Sequence, residues 1–177
     1  MKTNVRKTVT AAVIGALYAA FTYLSAATGL AFGTVQFRFS EALTVLPLYT
    51  PAASVGLFVG CVVSNIISSV TPLDMVFGSL ATLLAALLTR ALGKIKIKGF
   101  PVLSFLSPVV INGIIVGAEI SFFGGSDKVS LALFATNALS VAAGEAGVMA
   151  TLGVALWALI EKNAGLRGII NGRQNGA

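Results

Sequence analysis

The chain has no histidine, one cysteine, only six acidic residues, and 10% charged residues in all. Each shortage removes a class of chemistry. Without histidine there is no Ser/His/Asp triad and no imidazole ligand for a metal. One thiol can neither close an intrachain disulfide nor cage a zinc ion, and Cys61, set inside an apolar run, reads as a small core residue. The phosphate-binding pattern Gly-xxxx-Gly-Lys-Ser/Thr is also missing: Gly93-Lys94 is followed by isoleucine and has no glycine at the required upstream place. Any ATP hydrolysis linked to this chain belongs to a partner.

What is present is mostly apolar. The 177 residues are 56% hydrophobic, and their charged fraction falls far below the roughly 25% of soluble domains. An all-α integral membrane protein is expected: a bundle of six transmembrane helices over about 8–28, 40–49, 52–69, 72–92, 102–123 and 128–160. These make one domain over 1–161, followed by a polar cytoplasmic tail over 162–177 that should fray. The apolar run from Val9 to Ala27 has a signal-peptide-like end but is long enough to span, so it reads as the first helix. Ser40 is placed to cap the short second helix, which Pro47 and Pro51 end. Gly56 and Gly60 are spaced for close helix contact, and Thr71-Pro72-Leu73-Asp74 signals a helix start. The basic loop Gly93 to Gly99 alternates like a strand but is too short to pair alone. The last helix exceeds what a ~30 Å hydrocarbon core needs at ~1.5 Å per residue, so it should tilt, protrude, or break near Gly144 and Gly147.

A net charge of +6 is not interleaved with aromatics as in nucleic-acid binders. It fits membrane orientation better. With six spans, one side holds Lys2, Arg6, Lys7, Arg90, Lys94, Lys96, Lys98, Lys162, Arg167 and Arg173, and the other only Arg38 and Lys128. The positive-inside rule then puts both termini in the cytoplasm.

Against this background the costly residues stand out, since an ionisable side chain in hydrocarbon costs about 2.5–3.5 kcal/mol on insertion scales. Arg38 and Glu41 sit three apart within Gln36 to Pro47, either as an i, i+3 ion pair or as part of a site. Asn65, Asp74, Asn112, Glu119, Asn137 and Glu145 complete the set; Asn112 and Glu119, and Asn137 and Glu145, nearly share helix faces. Asp74 also suits a helix start, and the three asparagines suit interhelical hydrogen bonds. Glu119 and Glu145 need partners where cations are scarce. The set lies toward the outer half, which predicts a cup open to the outside rather than a through-pore. Tyr49, Phe122, Phe123 and Trp157 read as interfacial belt residues. On helix one, Ala12, Ala16 and Ala20 line one face and Ala11, Gly15 and Ala19 its neighbour, a smooth stripe for a helix of this chain or of a partner.

The stretches Val35 to Pro47, Gly56 to Asn65, Asp74 to Leu83, and Pro108 to Glu119 resemble the QueT family, over about residues 5–161. The resemblance implies a six-helix S component, the substrate-binding subunit of an energy-coupling factor (ECF) transporter in the plasma membrane. Such a subunit has no catalytic activity or cofactor. It captures a queuosine precursor from outside, then docks on a transmembrane coupling protein with two ATPases. The contact would use Ala12 and Ala16, with Ala16 and Ala20 as the alternative register. The implied 7-deazaguanine presents two adjacent N–H donors suited to Glu119 or Glu145, and an oxo group suited to Asn112, Asn137 or Arg38. Phe37, Phe39 or Phe77 could sandwich its ring, and Glu41 could meet an aminomethyl cation. The substrate-binding set is therefore Phe37, Arg38, Glu41, Asn65, Asn112, Glu119, Asn137 and Glu145. The rivals are an S component for another vitamin or purine-like solute, a stand-alone carrier or channel, and an intramembrane enzyme.

Overall fold

A computed structural model describes residues 2–31, 35–66, 73–125 and 130–171. In chain order it contains α1 (Lys2–Ala27), a 3-10 helix (Phe39–Leu48), α2 (Ala52–Asn65), α3 (Asp74–Leu92), α4 (Val102–Phe123), α5 (Leu131–Val148), a π-helical turn (Met149–Gly153), α6 (Val154–Lys162) and α7 (Ala164–Asn171). Four stretches are long and apolar enough to cross a membrane: Asn4–Ala27, Asp74–Leu92, Val102–Phe123 and Leu131–Lys162. The other apolar helices, Phe39–Leu48 and Ala52–Asn65, are shorter. The cap expected at Thr71-Pro72 and the helix start expected near Lys128 lie outside the described residues.

The second helix differs most from expectation. It is 3-10 rather than α, and at ~2.0 Å per residue its ten residues reach about 20 Å, short of a ~30 Å core. Pro47, inside it, has no N–H to give. Ser40 does not cap it: the N-cap is Arg38, with no side-chain cap bond, and the Ser40 hydroxyl instead accepts from Thr22 Oγ1 at 2.7 Å. Every residue from Ser40 to Pro47 is buried, and the segment touches each of α1 to α6. Leu43 and Leu46 pack with Ile14, Tyr18, Leu57 and Ile160, while Val45 packs with Phe105 and Met149. The core is built around this short helix.

The long helices stand in file around it, each from α1 to α5 packing on the next. Small residues set the α1–α2 approach. A Cβ added to Gly56 would lie 2.5 Å from the Ala11 carbonyl oxygen, and one on Gly60 would lie 2.6 Å from that of Gly15. The Ala11 and Gly15 face is thus committed to α2, whereas Ala12, Ala16 and Ala20 are exposed.

Gly144 and Gly147 do not break α5, which runs on to Val148. They are approach points instead: Gly144 lies against the backbone of Gln36, and a Cβ on Gly147 would come 3.0 Å from the Phe37 ring. The irregularity falls one turn later, in the π-helical Met149–Gly153. The tail does not fray at once either. It forms α7, whose Leu166 and Ile170 pack on the core, while Arg6 Nη2 donates to the Ile169 carbonyl at 3.3 Å. The basic loop makes one isolated antiparallel bridge, Ile97 to Phe100, as its length allows.

Candidate functional site

Arg38 enters the core just before the 3-10 helix and is 5% exposed, so its five N–H donors must find acceptors within the protein. It does not pair with Glu41. Nη2 donates to Asp74 Oδ2 at 2.8 Å, Nη1 to Asn65 Oδ1 at 3.2 Å, and Nε to the Ala31 carbonyl at 3.2 Å. Asn65 in turn donates to the Asp74 carbonyl at 2.9 Å. A side chain on Gly78 would collide with the Asp74 carboxylate, so the glycine gives that carboxylate its room. This is a closed ion pair joining the 3-10 helix to α2 and α3.

Beside it lies a small polar cavity. It is lined by Gln36, Arg38, Glu41, Gly78, Thr82, Asn112, Val116, Val141 and Glu145. The helical contributors come in pairs four apart, Gly78 and Thr82, Asn112 and Val116, Val141 and Glu145, because that spacing repeats one helix face. Room for the centre of a water molecule amounts to only ≈ 10 Å³, about one water. In place of the expected open cup the described residues form a chamber of this small size, and Gln36 and Phe37 lie against α5 at Gly144 and Gly147.

Four buried polar atoms on residues lining this cavity have no hydrogen-bond partner among the described residues: Gln36 Nε2, Glu41 Oε2, Asn112 Oδ1 and Glu145 Oε1. A buried polar atom left unpaired costs about 1–3 kcal/mol, more when charged. Such a cluster is unusual in a structural core and suits a site that a ligand completes. The other Glu41 oxygen accepts from the Tyr18 hydroxyl, and the Asn112 side chain lies against both carboxylates. Three of the unpaired atoms accept and one donates.

Several expected site residues lie elsewhere. Asn137 Nδ2 donates to Ser121 Oγ at 2.9 Å and links α5 to α4, the interhelical bond its type also suited. Glu119 is buried on α4 but outside the cavity lining. Asn65 serves Arg38 rather than the cavity. None of the three aromatics lines the cavity: Phe37 rests on Gly147, Phe77 stacks on Phe123 at 5.7 Å, and Phe39 lines an apolar groove with Phe21, Leu24 and Leu152. The cavity walls are Val116 and Val141 instead. Gln36, Thr82, Val116 and Val141 went unnoticed among the polar residues, although the last three lie four residues from Gly78, Asn112 and Glu145 respectively.

An apolar helix bundle with four helices long enough to cross a bilayer has the make-up of a membrane protein. A family model described as "QueT transporter" matches residues 8–162, and the chain belongs to that family. It is a multi-pass protein of the plasma membrane, in keeping with its long apolar helices. It is 33% identical over 75 residues to the "Queuosine precursor transporter QueT" of Lactococcus lactis subsp. cremoris (strain MG1363); the match covers 42% of this chain and 44% of that relative, so it spans less than half of either. No solved structure matches the chain.

Proposed function

We propose that this protein is the membrane-embedded substrate-binding subunit of an ECF-type importer, and that it takes a queuosine precursor of the 7-deazaguanine type into the cavity between α3, α4, α5 and the 3-10 helix. The observation that carries this reading is the set of four unpaired polar atoms on residues lining one chamber. A guanine-like edge runs oxo, N–H, amino N–H. Glu145 accepts from the two adjacent N–H groups, and Gln36 Nε2 donates to the oxo group. These two residues are neighbours because Gly144 lets the Gln36 backbone lie against α5. Asn112 Oδ1 accepts from a further ring N–H, and Val116 and Val141 hold the flat faces. The name of the Lactococcus relative and the family assignment support the same ligand class.

In this reading the short helices Phe39–Leu48 and Ala52–Asn65 lie within the membrane beside the four long spans, and both termini are cytoplasmic, as the distribution of Lys and Arg favours. The exposed Ala12, Ala16 and Ala20 face then meets the coupling protein, whose ATPase partners supply the energy. Binding must widen the cavity, since a bicyclic base needs far more room than one water. The test is a thermal-shift screen of purified protein against deazaguanines, purines and vitamins, because a ligand that binds the folded state raises stability by RT ln(1 + [L]/Kd). A 7-deazaguanine should give the largest shift; a larger shift from an unrelated vitamin, with none from deazaguanines, would overturn the assignment.

A further inference from the structure

The file of helices does not close into a ring. Each helix from α1 to α5 packs on the next, whereas among the described residues α1 and α6 make no contact of that extent. A groove of ≈ 390 Å³ runs between them. Val9, Val13 and Leu17 of α1 form one wall, Leu156 and Ile160 of α6 the other, and Leu43 of the 3-10 helix backs it from the core; of the described residues that line it, only Thr10 is not apolar. A cavity of about 150 Å³ with an apolar lining stays dry and takes up a hydrocarbon, so this one has room for a longer chain. From Val9 to Leu17 the groove rises about 12 Å, within the ~15 Å that one leaflet supplies to a ~30 Å core. Beyond Leu43 and Leu156, which line both, a second apolar groove carries Phe21, Leu24 and Leu152.

Charge singles out the Val9 end. Arg6, three residues before Val9 and seven before Val13, sits on the groove face of α1. Its Nη2 donates to the carbonyl of Ile169 on α7, an exposed residue that also lines the groove. Lys7 is its neighbour on α1, and Lys162 and Arg167 stand on the side of α6 and α7. Glu161 is the acid among these four cations, and it is engaged by Arg167 at 3.3 Å and by the Tyr49 hydroxyl at 2.9 Å. An apolar groove within hydrocarbon that ends under excess positive charge fits an amphiphile of opposite charge, with a chain between the helices and an anionic headgroup on the cations.

We propose that the groove between α1 and α6 binds one anionic phospholipid of the leaflet on the side of both termini. One acyl chain lies along Val13 and Leu17, and the phosphate meets Arg6 and Lys7. The site is separate from the polar chamber and independent of the solute held there. Leu43 backs the groove and Glu41 lines the chamber, so the lipid chain packs on the same short helix that shapes the chamber.

The experiment is native mass spectrometry of the purified full-length protein, incubated in detergent with equal amounts of phosphatidylglycerol and phosphatidylcholine that carry the same acyl chains. Wild type is expected to retain phosphatidylglycerol about tenfold over phosphatidylcholine, and Arg6→Gln with Lys7→Gln should bring that ratio to about one. Val13→Trp, which fills the groove and leaves every charge in place, should remove the lipid adduct. Lys94→Gln, Lys96→Gln and Lys98→Gln together, in the basic loop, should change neither the adduct nor the ratio. Equal retention of the two lipids by wild type overturns the proposal, as does a preference that is lost in the loop variant and survives in Val13→Trp. A protein dimer in place of the lipid adduct, abolished by Val13→Trp, also overturns it, because the groove then seats a second copy of the chain. Should the Arg6 variant not fold, Val13→Trp and the loop variant decide.

Discussion

Two polar clusters lie side by side in the same apolar bundle, and they are built in opposite ways. Around Arg38, donors and acceptors meet: Asp74, Asn65 and the Ala31 carbonyl take up the guanidinium. Around Glu145, acceptors face a chamber with too few donors, and Glu41, Asn112 and Gln36 each leave an atom unpaired there. Burial and charge are common to both, so neither marks the binding site. The mark is that four unpaired polar atoms gather on the lining of one chamber. A closed pair fixes the relation of the 3-10 helix to α2 and α3, and an incomplete set beside it keeps hydrogen-bonding capacity for something that arrives later.

The comparison breaks first at Asp74. Asp74→Ala leaves Arg38 as a buried charge without its carboxylate and should cost about 3–5 kcal/mol, read as a large fall in the thermal unfolding temperature in detergent. Glu145→Gln should do the reverse. Removing a buried carboxylate that has no cation should leave stability unchanged or raised, while 7-deazaguanine affinity falls about 100-fold, roughly 2.7 kcal/mol, by isothermal titration. If both variants lose stability alike, the two clusters are not different in kind.

Smaller effects sharpen the contrast. Gly56→Ala sets a methyl group 2.5 Å from the Ala11 carbonyl and should destabilise by about 1–3 kcal/mol through overpacking, without changing the preference among ligands. Asn137→Ala removes one hydrogen bond to Ser121 and should cost about 1 kcal/mol of stability. Its ligand affinity should stay within twofold of wild type, because Asn137 lies outside the chamber.

Much of the helical framework was legible from local pattern. The expected helix over 102–123 coincides with α4, Val102–Phe123, and Leu92 ends α3 where the basic loop begins. Arg38, Glu41, Asn112 and Glu145 stood out as charges and amides in apolar runs, and all four line the cavity. Their partners were not legible. Arg38 and Asp74 are 36 residues apart, and spacing along one helix favoured Glu41 because only tertiary packing brings α3 alongside. Glu119 and Glu145 look alike in sequence, yet only Glu145 reaches the chamber. Gly144 and Gly147 could equally have broken a helix; they serve close approach because the preceding Gln36–Phe37 stretch folds back on them. The 3-10 geometry of Phe39–Leu48 had one visible sign, Pro47 within a run otherwise fit for an α-helix.

The most direct measurement is titration of a 7-deazaguanine into three purified proteins: wild type, Glu145→Gln and Glu119→Gln. Wild type and Glu119→Gln should bind with similar affinity, and Glu145→Gln should bind about 100-fold more weakly. Loss of binding in Glu119→Gln with full binding in Glu145→Gln would show that the incomplete chamber is not where the solute sits.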